Sequence, residues 1–308
     1  MIKMEHVTKY LGGTPVLEDI ELEIADGEVC SVIGLNGSGK TTLVKLLCGI
    51  ISSDKGMIHV QGTQKVREYK QYISLLLSDT RNLYWKMTVK ENIEFCLALR
   101  GQKCKENKKK VADLLKRFSL DDTGKNTVQE LSRGMQQKLA LAIALSDDAP
   151  IMILDEPTLG LDTCGVDTLC SVIQELKSCG KTFIIVSHDF NFLLRVTDNI
   201  CYLKRGKMVK KFGLKEIKSF CQGKQLEISV KHEYREKLKQ INIDAEETYT
   251  EGIDTYGFTV DGIDETIRIL SEFQRRGIEI ESFQYRETEI KFITSQLEKL
   301  LVESNHVC

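Results

Sequence analysis

The chain has 308 residues, 43 basic and 45 acidic side chains and a hydrophobic fraction of 42%, enough for one large domain and a smaller one. Its near-zero net charge offers no electrostatic footprint for duplex nucleic acid, so no nucleic-acid partner is expected. The ten cysteines form no C-x-x-C pair and read as reduced thiols of a cytoplasmic protein, and no run reaches the roughly 18 apolar residues of a membrane span.

Near the start, Leu17, Ile20, Leu22 and Ile24 alternate with Glu18, Glu21 and Glu23, which predicts a half-exposed antiparallel strand. The next run, residues 29–33, is continuously apolar and reads as a strand buried on both faces. It leads into Gly34-Leu35-Asn36-Gly37-Ser38-Gly39-Lys40-Thr41, followed by a helical stretch over residues 42–48. Strand, glycine-rich loop, lysine and hydroxyl in that order form a P-loop. The glycines let successive backbone N–H groups wrap phosphates with no Cβ in the way, and the helix directs its positive end at the same anion. The expected ligand is a nucleoside triphosphate with Mg²⁺, held by Asn36, Gly37, Ser38, Gly39, Lys40, Thr41 and Thr42. Lys40 reaches the β- and γ-phosphates and Thr41 ligates the metal. Cys48 falls close to this nucleotide and is a candidate for modification.

A second apolar strand is predicted over residues 73–77. From about residue 79 to 145 the chain turns helical, with amphipathic stretches over residues 89–100 and 108–118, as in a helical insertion between core strands. The loop Asn82-Leu83-Tyr84-Trp85-Lys86-Met87 holds the only tryptophan, and an exposed aromatic patch here would be suited to docking a partner helix. Leu131-Ser132-Arg133-Gly134-Met135 sets a serine N-cap and a glycine before a helix, a second anion site. The strand over residues 151–154 ends in Asp155 and Glu156. Asp155 is the expected magnesium acid, and Glu156 the general base that takes a proton from the attacking water. A further strand, residues 183–186, precedes His188. Beyond residue 211 the predicted order is strand, a helix over residues 232–241, two strands, helix, strand and a final helix over residues 287–301, a ferredoxin-like arrangement.

In this order, the P-loop, Leu131-Ser132-Arg133-Gly134-Met135, Leu154-Asp155-Glu156-Pro157-Thr158, Gly160-Leu161-Asp162 and His188 resemble the ATP-binding subunit of an ABC transporter. The resemblance covers residues 1–220, and the C-terminal part is similar to the accessory domain of ABC-2-type exporters. It implies an α/β fold. A P-loop NTPase core, a parallel sheet with an antiparallel edge subdomain and the helical insertion, occupies residues 1–220, and a small α+β ferredoxin-like domain occupies residues 221–308. It also implies ATP and Mg²⁺ as ligands, and a homodimer or a paired ATPase subunit sandwiching two ATP molecules. Separately encoded integral-membrane permease subunits would hold the chain on the cytoplasmic face of the membrane.

Carried over by residue, the resemblance makes Tyr10 the aromatic that stacks on adenine. Ser132 and Gly134 touch the γ-phosphate held by the opposite subunit, Asp162 communicates across the dimer, and His188 contacts the γ-phosphate. Three positions depart from the family pattern. The signature reads Ser-Arg-Gly-Met in place of Ser-Gly-Gly-Gln, Thr163 replaces a common proline, and Asp79 stands where a metal-binding glutamine is usual. A carboxylate can still bind the metal through oxygen, so Asp79 is expected to make a metal or water-mediated contact. The expected activity is ATP hydrolysis in a heteromeric exporter; the alternative is a soluble ABC-type ATPase regulating translation or DNA repair.

Overall fold

The computed structural model describes residues 1–77, 83–101, 104–220, 224–239, 245–250, 252–260 and 262–286. Asp79 and the helix expected over residues 287–301 lie outside these residues. The chain separates into two compact units, Met1–Leu214 and Lys215–Cys308.

The first unit holds two sheets. β1 (Ile2–Leu11) lies between β2 (Thr14–Ile24) and β4 (Lys55–Val60), antiparallel to both. In β2 the core side of the alternation, Leu17, Ile20, Leu22 and Ile24, is buried, as a strand with one wet face requires. The six-stranded sheet comprises β3 (Val29–Ile33), β5 (Ile73–Leu76), β6 (Ile151–Asp155), β7 (Thr182–Val186), β8 (Asn199–Lys204) and β9 (Lys207–Gly213). Its order is β5-β6-β7-β3-β8-β9, parallel except for β9 on β8. Every residue of β3, β6 and β7 is buried, which is why these strands read as apolar runs, with Ser31, Asp155 and Thr182 as their polar residues.

Helices link the strands. α1 (Lys40–Leu47) follows β3, and α2 (Val66–Tyr69) precedes β5. The insertion holds α3 (Val89–Leu99), α4 (Cys104–Arg117) and α5 (Arg133–Ser146). Thr88 and Glu91 form a capping box that starts α3, satisfying two N–H groups the first turn leaves open. α6 (Thr163–Ser178) connects β6 to β7, and α7 (Phe190–Val196) connects β7 to β8. None of the described helices is long and apolar enough to cross a membrane.

The second unit contains α8 (Leu214–Phe220), β10 (Lys224–Lys231), α9 (Arg235–Lys239), β11 (Glu246–Thr250), β12 (Ile253–Val260), α10 (Ile263–Arg275) and β13 (Ile280–Arg286). Its antiparallel sheet has the order β11-β12-β10-β13, the arrangement that a βαββαβ chain produces when both helices cover one face. Leu226, Ile228, Val230, Tyr256, Phe258 and Phe273 form its core. The helix expected over residues 232–241 begins later than its sequence suggests: a 3₁₀ turn (His232–Tyr234) precedes α9.

Candidate functional site

The P-loop leaves the buried end of β3 and enters α1 through Gly39. Gly37 (φ 79°) and Gly39 (φ 105°) are both left-handed, a backbone that side chains with a Cβ resist. A Cβ on Gly39 would also stand 2.7 Å from Leu17 Cδ2 and 2.9 Å from Val16 O, whereas one on Gly37 would meet nothing. The loop is braced from behind by the β8–β9 turn, where Gly206 N donates to Ser38 O at 3.0 Å. Ser38 Oγ is buried with no hydrogen-bond partner among the described residues. Lys40 folds over the loop, its Nζ donating to Gly34 O at 2.8 Å and Leu35 O at 3.1 Å. Burial pulls the Lys40 pKa below its ordinary value against the opposing pull of Glu156 and Asp155. Asn36, Gly37 and Thr41 are exposed and Thr42 is half-buried. A cradle that excludes Cβ atoms, an orphaned hydroxyl and an ammonium resting on carbonyls fits a polyphosphate.

Asp155 closes β6 and is 3% exposed. The next residue, Glu156, adopts φ 51°, while its N–H still donates to Val186 O on β7 at 2.7 Å. The chain thus turns sharply without leaving the sheet. Glu156 Oε2 accepts from His188 N at 3.3 Å and lies 2.8 Å from His188 Nδ1. The two acids and the histidine therefore collect at adjacent strand ends beside Lys40, with an oxygen-donor set that suits Mg²⁺: the Asp155 carboxylate and the Thr41 hydroxyl.

A second cluster assembles around the start of α5. Ser132 caps the helix, its Oγ accepting from Met135 N at 3.3 Å. A Cβ on Gly134 would come within 2.8 Å of Gly160 O, so the signature glycine permits close approach to the loop after β6. Gln137 Nε2 donates to Pro157 O at 3.3 Å, and Lys138 Nζ lies 3.1 Å from Asp162 Oδ1. Asp162 caps α6 by accepting from Gly165 N at 2.8 Å. That bond, with Lys138 beside it, holds the Asp162 carboxyl below its usual range. Among the described residues, the hydrogen-bond and ion-pair partners of Ser132 and Asp162 all lie between residues 135 and 166. Ser132, Gly134 and Asp162 thus form a second cluster with its own internal bonding.

Tyr10 lies near the end of β1 with its side chain exposed and its N–H donating to Asp54 Oδ2 at 2.6 Å. Tyr84 and Trp85 are 44% and 49% exposed. Cys48 is a poor candidate for modification after all: burial pushes its thiol up to about 12, so almost none is thiolate at neutral pH. Sequence reasoning missed Gln137 and Lys138. Both lie on the helix that Ser132 begins, and the only signal was their position within two turns of that cap.

Residues 17–159 match the ABC transporter family model. The chain is 33% identical over 218 residues to the ABC transporter ATP-binding protein YhaQ of Bacillus subtilis, covering 71% of this chain and 73% of that protein. It is 31% identical over 209 residues to the lantibiotic transport ATP-binding protein SrtF of Streptococcus pyogenes, covering 68% and 89%. Among solved structures, the dimeric post-hydrolysis state of the ATP-binding cassette MJ0796 bound to ADP and Pi superposes with a TM-score of 0.64 at 26% identity, covering 70% of this chain and 99% of that one. With its phosphate cradle, paired strand-end acids and these relatives, the chain belongs to the ATP-binding proteins of ABC transporters.

Proposed function

We propose that this chain hydrolyses ATP as one of two paired cassettes of an ABC-2-type exporter and drives movement in separate membrane permease subunits. The observation that carries hydrolysis is the Glu156–His188 contact at 2.8 Å, which sets a carboxylate and an imidazole at the strand ends beside the Lys40 loop. Lys40 exchanges its carbonyl partners for the β- and γ-phosphates, and the loop N–H groups take the remaining phosphate oxygens. Asp155 and Thr41 hold Mg²⁺, with Asp79 as a further oxygen donor from outside the described residues. When bound, the metal neutralises charge on the phosphates. Glu156 accepts the proton of the attacking water, a task worth about 10²- to 10⁴-fold in rate. His188 keeps Glu156 aimed and contacts the γ-phosphate.

Pairing follows from the division of the site. Ser132, Gly134 and Asp162 complete the γ-phosphate pocket of the opposite cassette, and Tyr10 stacks on adenine. The dimeric MJ0796 cassette with ADP and Pi supports both turnover and pairing. Export is supported by the Ser-Arg-Gly-Met signature and by the ferredoxin-like second unit, which fills residues 221–308 in this reading. SrtF, named for lantibiotic transport, supports a transporter role over a soluble regulatory ATPase. The test is reconstitution: the chain, expressed with the membrane protein encoded beside it, should co-purify with that protein and hydrolyse ATP only with Mg²⁺. Hydrolysis with no membrane protein retained would favour the soluble ATPase.

A further inference from the structure

α5 carries Ser132 at its N-terminal end and Asp147 as its C-cap. At the Asp147 end three elements are tied by one side chain. Arg100, the C-cap of α3, places Nε 3.1 Å from Asp147 Oδ2 and donates from Nη2 to Ile73 O at 2.8 Å. Ile73 is the first residue of β5. Asp147 is almost buried and also accepts from Ala149 N at 3.0 Å. Ser74 Oγ also donates to Ala144 O at 2.9 Å across the same seam.

The packing around these bonds is incomplete. A cavity of about 200 Å³ opens between β5, α3 and α5, with Leu83, Cys96, Leu97, Ala140 and Ile143 among its walls and Arg100 and Asp147 at its edge. The opposite face of α5 is packed, with Leu139, Leu141 and Leu145 fully buried, and beside the cavity the Arg100 bonds add directional ties from α5 to α3 and β5.

We propose that Arg100 is a positioning residue that, by clasping Ile73 and Asp147 together, aims the distant Ser132 end of α5. The helix is roughly 21 Å long from its 14 residues, so a pivot of a few degrees at Asp147 moves Ser132 by an ångström or more. A misplacement of about 1 Å costs on the order of 10²-fold when a group must meet a reacting phosphate. The P-loop lies on β3 and α1, outside the clasp, so nucleotide capture by a single chain does not depend on it. This inference rests on the proposed pairing of two cassettes.

The test uses the full chain with Arg100→Met, Arg100→Lys and Asp147→Asn, each also in a Glu156→Gln background. Monomer affinity for a fluorescent ATP analogue should stay within about twofold of the parent, while ATP-driven dimerisation weakens and kcat falls about tenfold or more with KM unchanged. Arg100→Lys, able to keep one of the two bonds, should fall between Arg100→Met and the parent. Arg100→Met with Asp147→Asn should lose less than the sum of the two single losses, because both substitutions break the Arg100–Asp147 contact. Dimerisation equal to the parent's overturns the proposal, and so does a parallel loss of monomer affinity, which would mark general loosening. If Arg100→Met does not fold, Asp147→Asn must show the same split between capture and dimerisation. A parent that neither dimerises with ATP nor hydrolyses it defeats the functional reading itself, before any Arg100 variant is compared.

Discussion

Glu156 and His188 meet through Oε2 and Nδ1 at 2.8 Å although 32 residues separate them, and the same carboxylate oxygen also accepts the His188 backbone N–H at 3.3 Å. The double contact fixes the direction of the carboxylate while its side chain remains one-fifth exposed. A base aimed in this way predicts that Glu156→Gln, which retains shape and one acceptor but cannot take a proton, lowers kcat by about 10²- to 10⁴-fold. ATP-bound dimers should accumulate in that variant and not in the parent, as read by size-exclusion chromatography with light scattering. A Glu156→Gln protein that turns over ATP at the parental rate removes Glu156 from the chemistry.

The backbone at Glu156 predicts an effect on stability of opposite sign. A non-glycine residue at φ 51° costs about 1–2 kcal/mol, and glycine's extra freedom in the unfolded chain costs about 0.5–1 kcal/mol. Glu156→Gly should therefore melt no lower than the parent while losing turnover. On the proposed role of Glu156 as base, the strained turn is what aims the carboxylate. A marked fall in the melting temperature would show that the His188 contact stabilises more than the turn destabilises.

How much of this was legible in the sequence differs by level. The buried strands β3, β6 and β7 were readable because a parallel strand covered on both faces is apolar along most of its length. The P-loop was readable because glycine, lysine and hydroxyl spacing is dictated by the phosphate. Ser132 and Asp162 could each be assigned a role from their motifs. Their mutual tie through Lys138 could not, because a bond between residues 24 apart depends on the packing of α5 against the turn before α6. The left-handed turn at Glu156 left no trace either, since glutamate has no preference for that conformation. The helix after β10 read as starting too early because the charged, periodic stretch from residue 232 suits a helix from its first residue. The structure nevertheless begins it with a 3₁₀ turn whose His232 Nδ1 lies 3.0 Å from the buried Asp254.

The two left-handed glycines of the P-loop predict distinct failures. Gly39→Ala meets Val16 O at 2.9 Å in addition to the strained φ of 105°, so it should lose more than the about 1–2 kcal/mol of backbone strain alone. Gly37→Ala faces open space and should lose only about that strain. Both should weaken ATP binding, Gly37→Ala because its methyl group occupies the face that phosphates approach. Thermal melts beside nucleotide titrations separate the two. Equal destabilisation would show that the contacts behind Gly39 yield easily.

Lys40 predicts a proton linkage. Its pKa is held below the ordinary lysine value of 10.5 by burial. Below its folded pKa, Lys40 is charged in both folded and unfolded chains, and the cost of burying that charge is fully present. As pH rises through the folded value toward the unfolded one, the folded chain releases its proton first and the cost is relieved. Phosphates arriving beside the ammonium favour the charged form. Within this alkaline window ATP binding should therefore take up protons, and affinity should fall as pH rises. Calorimetric titrations in two buffers of different ionisation heat measure the uptake. Lys40→Met should abolish it along with most of the affinity, and uptake that persists would assign the proton elsewhere.

Tyr84 is held as a rigid platform. Its N–H donates to Asn92 Oδ1 at 2.7 Å, its carbonyl accepts from Asn92 Nδ2 at 3.0 Å, and its ring meets Phe95 edge to face at 4.6 Å. Trp85 lies beside it, its backbone pinned by Gln129 N at 3.2 Å. Ordered aromatics left this exposed present apolar area whose conformational entropy has already been lost, the property of binding hot spots. ABC ATP-binding subunits work with separate membrane permeases, and this face is suited to receive a permease helix. Replacing both residues by alanine should cost 2 kcal/mol or more of binding, about 30-fold in affinity for the permease. Nucleotide binding should be unchanged, because neither ring belongs to the phosphate cradle. Co-purification with the permease, set against ATP titration of the isolated chain, decides the matter. A variant that loses ATP and keeps the permease would place this aromatic face in the nucleotide site instead.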